Sequence, residues 1–121
     1  MTRRAPLTVF GIRNCDTVRA ARKWLAENGI EYRFHDFRRD GFDGEILAPW
    51  LRQHEMAHLV NRRGRTWRSL ALADRQAIET GHGKSLVIDQ PTLIRRPVFD
   101  CGGRIMIGFD ADIRAALESI D

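Results

Sequence analysis

The sequence predicts an α/β domain in which a βαβ half and a ββα half are joined by a helical insertion. Three observations predict it. Two short strand-like runs, residues 7–10 and 30–37, flank a segment with the apolar spacing of one helix face. Gly102-Gly103 separates two further strand-like runs and is followed by an amphipathic stretch. Between the halves, residues 54–82 carry helical character broken by glycines and polar turns.

Each element has its own signal. Residues 7–10, Leu-Thr-Val-Phe, are apolar and β-branched, the composition of a strand. Gly11 to Asp16 reads as a turn. From 17 to 28, Val18, Ala21, Trp24 and Leu25 recur at helical spacing, and Gly29 supplies the stop. Residues 30–37 set Tyr32, Phe34 and Asp36 on one face against Arg33, His35 and Phe37, a second strand. Strand, helix and strand in this order imply parallel pairing and a right-handed crossover. Residues 38–42 read as a polar connection. Asp43 can cap a helix through Ile46, Leu47, Trp50 and Leu51, in which Pro49 predicts a kink or a late start.

The middle is read as short pieces. Leu59-Val60 leads into a turn at 61–65, a short helix is predicted near 74–79, and a last helical turn near 84–88. After Pro91, residues 92–99 form a strand candidate interrupted by Pro97. Gly102-Gly103 makes the hairpin turn, 104–109 the partner strand, and 110–120 a closing helix with Asp110 or Asp112 near its start. No repeat, low-complexity stretch or linker interrupts the chain. A single domain over 1–121 is expected, with 1–6 as a short tail.

Composition narrows the function classes. At 121 residues the chain can bury a core without staples. No stretch approaches the roughly 20 apolar residues that span a bilayer, and the basic start runs into a strand rather than a long apolar segment, unlike a secretory signal. Neither membrane nor export is expected, and the cytoplasm is the expected compartment. The net charge of +4, carried by arginine, admits nucleic acid as a partner. No helix-turn-helix, zinc-finger or aromatic RNA-binding signature accompanies it, so solvated arginines, a few of them lining an anion site, are expected instead. His35, His54, His58 and His82 are scattered and have no Cys-x-x-Cys companion, so no metal is expected. Two cysteines are too few for a disulfide scaffold and are expected as free thiols.

Cys15 carries the chemistry. It stands between a strand and a helix, where unpaired N–H groups and the helix dipole favour an anion. The thiolate is the reactive form of cysteine, and such a position stabilises it. Arg13, and Arg19 or Arg22, can add positive potential, while Asp16 works against it. The flanks Arg13, Asn14, Asp16 and Thr17 are polar, so the turn is expected to be wet and the thiol reachable. Cys101 is expected at a hairpin tip pointing away from Cys15. Val18, three residues beyond Cys15, removes the dithiol oxidoreductase motif.

The run Val9-Phe10-Gly11-Ile12-Arg13-Asn14-Cys15-Asp16-Thr17-Val18-Arg19 resembles the opening of the ArsC, or arsenate reductase-like, superfamily, most closely its YffB-like branch. Tyr32-Arg33-Phe34-His35-Asp36, Asn61-Arg62-Arg63-Gly64, Thr66-Trp67-Arg68 and Arg95-Arg96-Pro97 match the same branch, so the resemblance spans about residues 7–120. It implies a thioredoxin-like fold with a helical insertion. It also implies a monothiol reductase in which Cys15 is the nucleophile and Arg96, Arg63 and Arg13 hold an anionic substrate or glutathione. Thr17 and the helix start help polarise the sulfur, with Asn14 and Pro97, the latter on the family's cis proline, as structural neighbours. No bound cofactor is implied; glutathione is the co-substrate, and glutathione or glutaredoxin the partner for a small anionic or mixed-disulfide substrate. A monomer is expected.

This sequence departs from true arsenate reductases at two of three anion ligands: one aligns with Asn61, two residues before Arg63, and another near Gly108. That weighs against arsenate itself. Arsenate reductase proper and a Spx-like regulator that binds RNA polymerase stand as alternatives. The Spx redox switch is a Cys-x-x-Cys, which Val18 removes.

Overall fold

A computed structural model describes residues 7–120, so the expected tail at 1–6 lies outside the described residues. In chain order the elements are β1 (Leu7–Gly11), α1 (Asp16–Glu27), β2 (Arg33–Asp36), α2 (Phe37–Asp40), α3 (Gly44–Gln53), α4 (Met56–Leu59), α5 (Arg65–Arg68), α6 (Leu72–Glu79), α7 (Lys84–Asp89), a 3-10 turn (Pro91–Leu93), β3 (Val98–Cys101), β4 (Arg104–Ile107) and α8 (Ala111–Glu118). They group into two compact units. A sheet unit takes the chain up to Gly41 and resumes at Arg96; a helical unit is Phe42–Arg95.

In the sheet unit the strands lie in the order β2-β1-β3-β4. β1 pairs with β2 in parallel, and β3 pairs antiparallel with both β1 and β4. This is the thioredoxin-like fold, with its helical insertion between the two halves. Register explains the core. Phe34, Val9, Phe99 and Met106 lie side by side in adjacent strands and so share one face. Onto that face α1 brings Ala21 and Leu25 and α8 brings Leu117, all three fully buried. Their spacing along α1 is the three-and-four repeat read from the sequence. Asp110 caps α8 by accepting from the Ile113 N–H at 2.9 Å. Gly102 and Gly103 turn the hairpin with φ of 59° and 101°, values that side chains rarely adopt.

β2, β3 and β4 are shorter than the pattern predicts, whereas β1 runs one residue further, to Gly11. β2 ends at Asp36, and the next residues form the single helical turn α2 rather than a plain connection. The alternation of 30–37 overran because Phe37 is buried from a helix, not from a strand. The segment 92–99 is likewise corrected: it opens as a 3-10 turn and becomes a strand only after Pro97. Proline lacks the N–H that a ladder needs, so pairing starts beyond it.

In the helical unit, Asp43 caps α3 as predicted, accepting from the Ile46 N–H at 3.0 Å. No late start occurs at Pro49: α3 runs from Gly44 to Gln53 through it. The carbonyl deprived of a donor is that of Glu45, four residues earlier, and Glu45 is exposed, so water can serve it. Leu47, Trp50, Leu59, Ile78, Val87, Leu93 and Ile94 are almost wholly buried. Val60 and Ile94 form an antiparallel bridge, flanked by the Asn61 N–H to Leu93 C=O bond and the Arg95 N–H to Leu59 C=O bond, each 2.8 Å. Among the described residues no helix is long and apolar enough to cross a membrane.

Candidate active site

Cys15 is the N-cap of α1, in extended backbone (φ −142°, ψ 125°), and is half-buried. Its carbonyl accepts the first helical bond, from the Arg19 N–H at 2.9 Å. Its sulfur makes no capping hydrogen bond, so the first N–H groups of α1 keep their donor capacity. The thiol is therefore at the helix start, as the sequence predicts, with neighbouring donors uncommitted to it. Close approach of strand and helix makes this junction possible. A Cβ on Gly11 would stand 2.7 Å from Cγ2 of the fully buried Val18, nearer than side chains pack.

The surrounding polar groups are held as a set. Arg19 pairs with Asp16 and donates to Asn14 Oδ1 at 3.2 Å, which ties the two residues flanking the thiol to the first turn of α1. Arg22, a candidate source of positive potential, is committed elsewhere: its guanidinium lies 4.0 Å from the centre of the Phe34 ring and its Nε donates to the Tyr32 hydroxyl at 3.1 Å. Thr17 is exposed, and its hydroxyl makes no hydrogen bond to the Cys15 sulfur or to any other described residue. The Arg13 side chain is exposed, but its backbone N–H donates 2.9 Å to Asp36 Oδ2.

Asp36 is the residue that sequence reading missed as part of the site. It is the one buried charged side chain among the described residues. The signal available was an N-cap residue type, Asp, at the close of a strand run. Burial pushes its carboxyl upward, but the N–H groups of Arg13, Arg38 and Arg39 and the Arg13 charge outweigh burial and hold it below the usual range. A carboxyl lowered in the fold stabilises it above the unfolded value of about 3.9, and that stability is lost as pH falls through the folded value. Acid unfolding followed by circular dichroism will thus show a component below about pH 4 that Asp36→Asn lacks.

Strand register places the remaining residues. Phe10 pairs with Val98, the first residue of β3, so Arg96-Pro97 enters β3 at the end of the sheet where β1 passes into the cysteine loop. The cysteine loop, Asp36 and Arg96-Pro97 thus lie at one end of the sheet. The Arg96–Pro97 peptide is cis, as the resemblance implies, and Arg96 is half-buried with its Nε shielded from solvent. Arg63 belongs to the helical unit, exposed on the turn after α4, where its N–H donates to Asn61 Oδ1 at 3.0 Å. Trp67 is buried in that unit, with Arg62 and Arg75 guanidinium groups 5.7 and 5.9 Å from its ring centre, a packing role. A groove of about 490 Å³ in the same unit, bordered by His54, Glu55, Glu79 and Lys84, contains none of the predicted site residues.

Cys101 stands apart. It pairs with Leu7, at the start of β1, whereas Cys15 lies beyond the end of β1. Four strand steps alone are about 13 Å, beyond the roughly 7 Å Cα separation a disulfide tolerates. Both cysteines are free. Burial raises the Cys101 thiol, Arg104 lowers it and Asp100 raises it, with a net upward shift that favours the protonated form.

Comparison with known proteins agrees with this geometry. An uncharacterized protein of Haemophilus influenzae is 41% identical over 104 residues, covering 86% of this chain and 91% of its own. The global transcriptional regulator Spx of Streptococcus agalactiae serotype V is 28% identical over 114 residues, covering 92% and 82%. Among solved structures, the YFFB protein is 37% identical with a TM-score of 0.85, covering 93% of this chain and 99% of its own. An arsenate reductase-related protein of Brucella melitensis is 35% identical with a TM-score of 0.76, covering 96% and 97%. The family model described as the ArsC family matches residues 10–116. With its thiol at the head of α1 and its cis Arg96–Pro97 peptide at the same end of the sheet, the chain belongs to the ArsC family.

Proposed function

We propose that this protein is a glutathione-dependent monothiol reductase of the arsenate reductase-like family. The observation that carries the reading is Cys15 itself: a half-buried thiol at the start of a twelve-residue helix whose leading N–H groups are not spent on capping. Such N–H groups, together with the helix dipole, favour the thiolate and an anionic partner. Arg96 comes to the same end of the sheet and supplies a planar cation suited to a carboxylate or oxyanion. Arg13 adds charge at the mouth of the loop, and Arg63 is the further candidate for the anion.

The chemistry needs one thiol in the protein and one from outside. The Cys15 thiolate attacks the glutathione sulfur of a mixed disulfide, forming a Cys15–glutathione disulfide and releasing the substrate thiolate. A second glutathione thiolate then attacks the glutathione sulfur of that adduct. It regenerates the Cys15 thiolate and leaves oxidised glutathione, so the net change is one mixed disulfide and one glutathione thiol giving the substrate thiol and glutathione disulfide. Position 18, where a resolving cysteine would stand, is a fully buried valine, and Cys101 is at the far end of β1, so the external thiol is required.

The test combines mass spectrometry and alkylation. Incubation with glutathione disulfide will place one glutathione on Cys15, absent from Cys15→Ser, and added glutathione will remove it. Iodoacetamide will alkylate Cys15 faster than a free cysteine at the same pH, and Cys15→Ser will lose that reactivity. A Cys15 that takes up no glutathione and alkylates like a free thiol would overturn the reading. The Spx relatives raise a regulatory alternative, but a Cys-x-x-Cys switch is impossible with valine at 18.

A further inference from the structure

We propose that Asp36 is the positioning residue of the thiol loop, its buried carboxylate holding the turn that presents Cys15 at the head of α1. The inference rests on the reading of Cys15 as the reacting group. Asp36 closes β2 and pairs with Gly11, the last residue of β1. From there its two oxygens serve different tasks. Oδ1 accepts from the N–H groups of Arg38 and Arg39, at 2.8 and 3.2 Å, and so caps α2. Oδ2 reaches across to the Arg13 N–H at 2.9 Å, a residue 23 positions earlier in the chain.

Capping α2 needs only one oxygen, so the second is free to act on the loop. β1 ends at Gly11, and Arg13 has passed beyond the ladder that would otherwise satisfy its N–H. Only Asn14 separates this anchored peptide from Cys15. On the far side the turn is held by α1: the Cys15 carbonyl takes the Arg19 N–H, and Asn14 takes the Arg19 guanidinium. Ile12 is buried at the near side. Asp36 thus fixes one end of a short turn whose other end is fixed by the helix.

The chemistry requires a carboxylate. Every group facing the side-chain oxygens is an N–H donor, so both atoms must accept. Asparagine, nearly the same size, has one acceptor and one donor atom. Whichever way it is turned, an N–H is set against an N–H, at Arg13 or at the cap of α2.

The proposal has a sign that a charge effect would not share. A negative carboxylate near Cys15 disfavours its thiolate, so electrostatics alone would make Asp36→Asn alkylate faster and at lower pH. Positioning predicts the reverse. The pH profile of iodoacetamide alkylation of Cys15 in Asp36→Asn is expected to move upward, with the rate at pH 7 falling at least threefold. Asp40→Ala, which removes the acceptor of the Asp36 N–H and one neighbouring charge but none of the contacts of the Asp36 side-chain oxygens, is expected to leave the profile where it was. A folded Asp36→Asn whose profile is unchanged or shifted downward would overturn the proposal.

A second measurement needs no variant. In the wild-type protein, NMR will show the Arg13 amide proton shifting with the titration of the Asp36 carboxyl, whose charged neighbours are Arg13, Arg38, Arg39 and Asp40. An Arg13 amide blind to that titration would also overturn it. If wild-type Cys15 proves to be an ordinary thiol, the reductase reading falls while the amide titration still decides whether the staple exists.

Discussion

Truncation of Phe99 to alanine will cost the fold about 3–5 kcal/mol, the range for a buried aromatic reduced to a methyl group. Phe99 is wholly buried at the centre of β3. Its register partners are Val9 on one side and Met106 on the other, and Leu25 and Leu117 belong to the same cluster. The ring therefore links strands on both sides of β3 to the helices that cover them. Those neighbours are backbone-anchored in strands and helices, so they cannot collapse far into the space it leaves. Domain stability is only about 5–15 kcal/mol, so this single change removes about a fifth of it at the least. Urea denaturation followed by circular dichroism will read the loss as a lower midpoint with little change in slope. A loss under about 1 kcal/mol would mean that the sheet face is far more plastic than close packing allows.

Trp50→Ala will have a comparable effect, again about 3–5 kcal/mol, in the helical unit. Trp50 is 1% exposed in the middle of α3, and the Phe42 ring lies 5.3 Å from it, centre to centre, at 45°. With Leu47 one turn earlier it forms the buried stripe of an otherwise accessible helix. α3 also carries Pro49, which removes one backbone bond, so its stability leans on that stripe more than on its own ladder. Trp50→Phe is expected to recover much of the loss, because an aromatic ring still fills most of the site. The same urea titration will rank the variants, and a Trp50→Ala midpoint equal to wild type would show that α3 contributes nothing to the measured transition.

The placement of the thiol was legible from local pattern alone. Val18, Ala21 and Leu25 lie at helical spacing and are all fully buried, so the periodicity that announced α1 is the packing that forms it. The glycines at 29 and 102–103 adopt positive φ, the conformation for which they were read as a stop and a turn. Cys15 falls between strand and helix because Gly11 and the polar run after it interrupt one period before the other begins. Where two signals competed, local reading overran. Phe37 continued an alternation on paper, but Asp36 had already capped a helical turn. Residues 92–97 looked strand-like by composition, but β3 begins only at Val98, where the chain can pair on both sides.

The sequence by itself determined the α/β class, the order of the strands with the first and last helices, and the place of Cys15 at the head of α1, because each depends on residues within a turn or two of one another. Only the tertiary structure decided what surrounds that thiol. Antiparallel register sent Cys101 to the opposite end of β1 and brought Arg96-Pro97 to the end where β1 passes into the cysteine loop. Stacking on Phe34 drew Arg22 away from the helix start. The parallel pairing of β1 with β2 set the Asp36 carboxylate under the Arg13 peptide. These contacts join residues far apart in the chain, and spacing along a sequence carries no record of which distant groups a fold will bring within hydrogen-bonding reach.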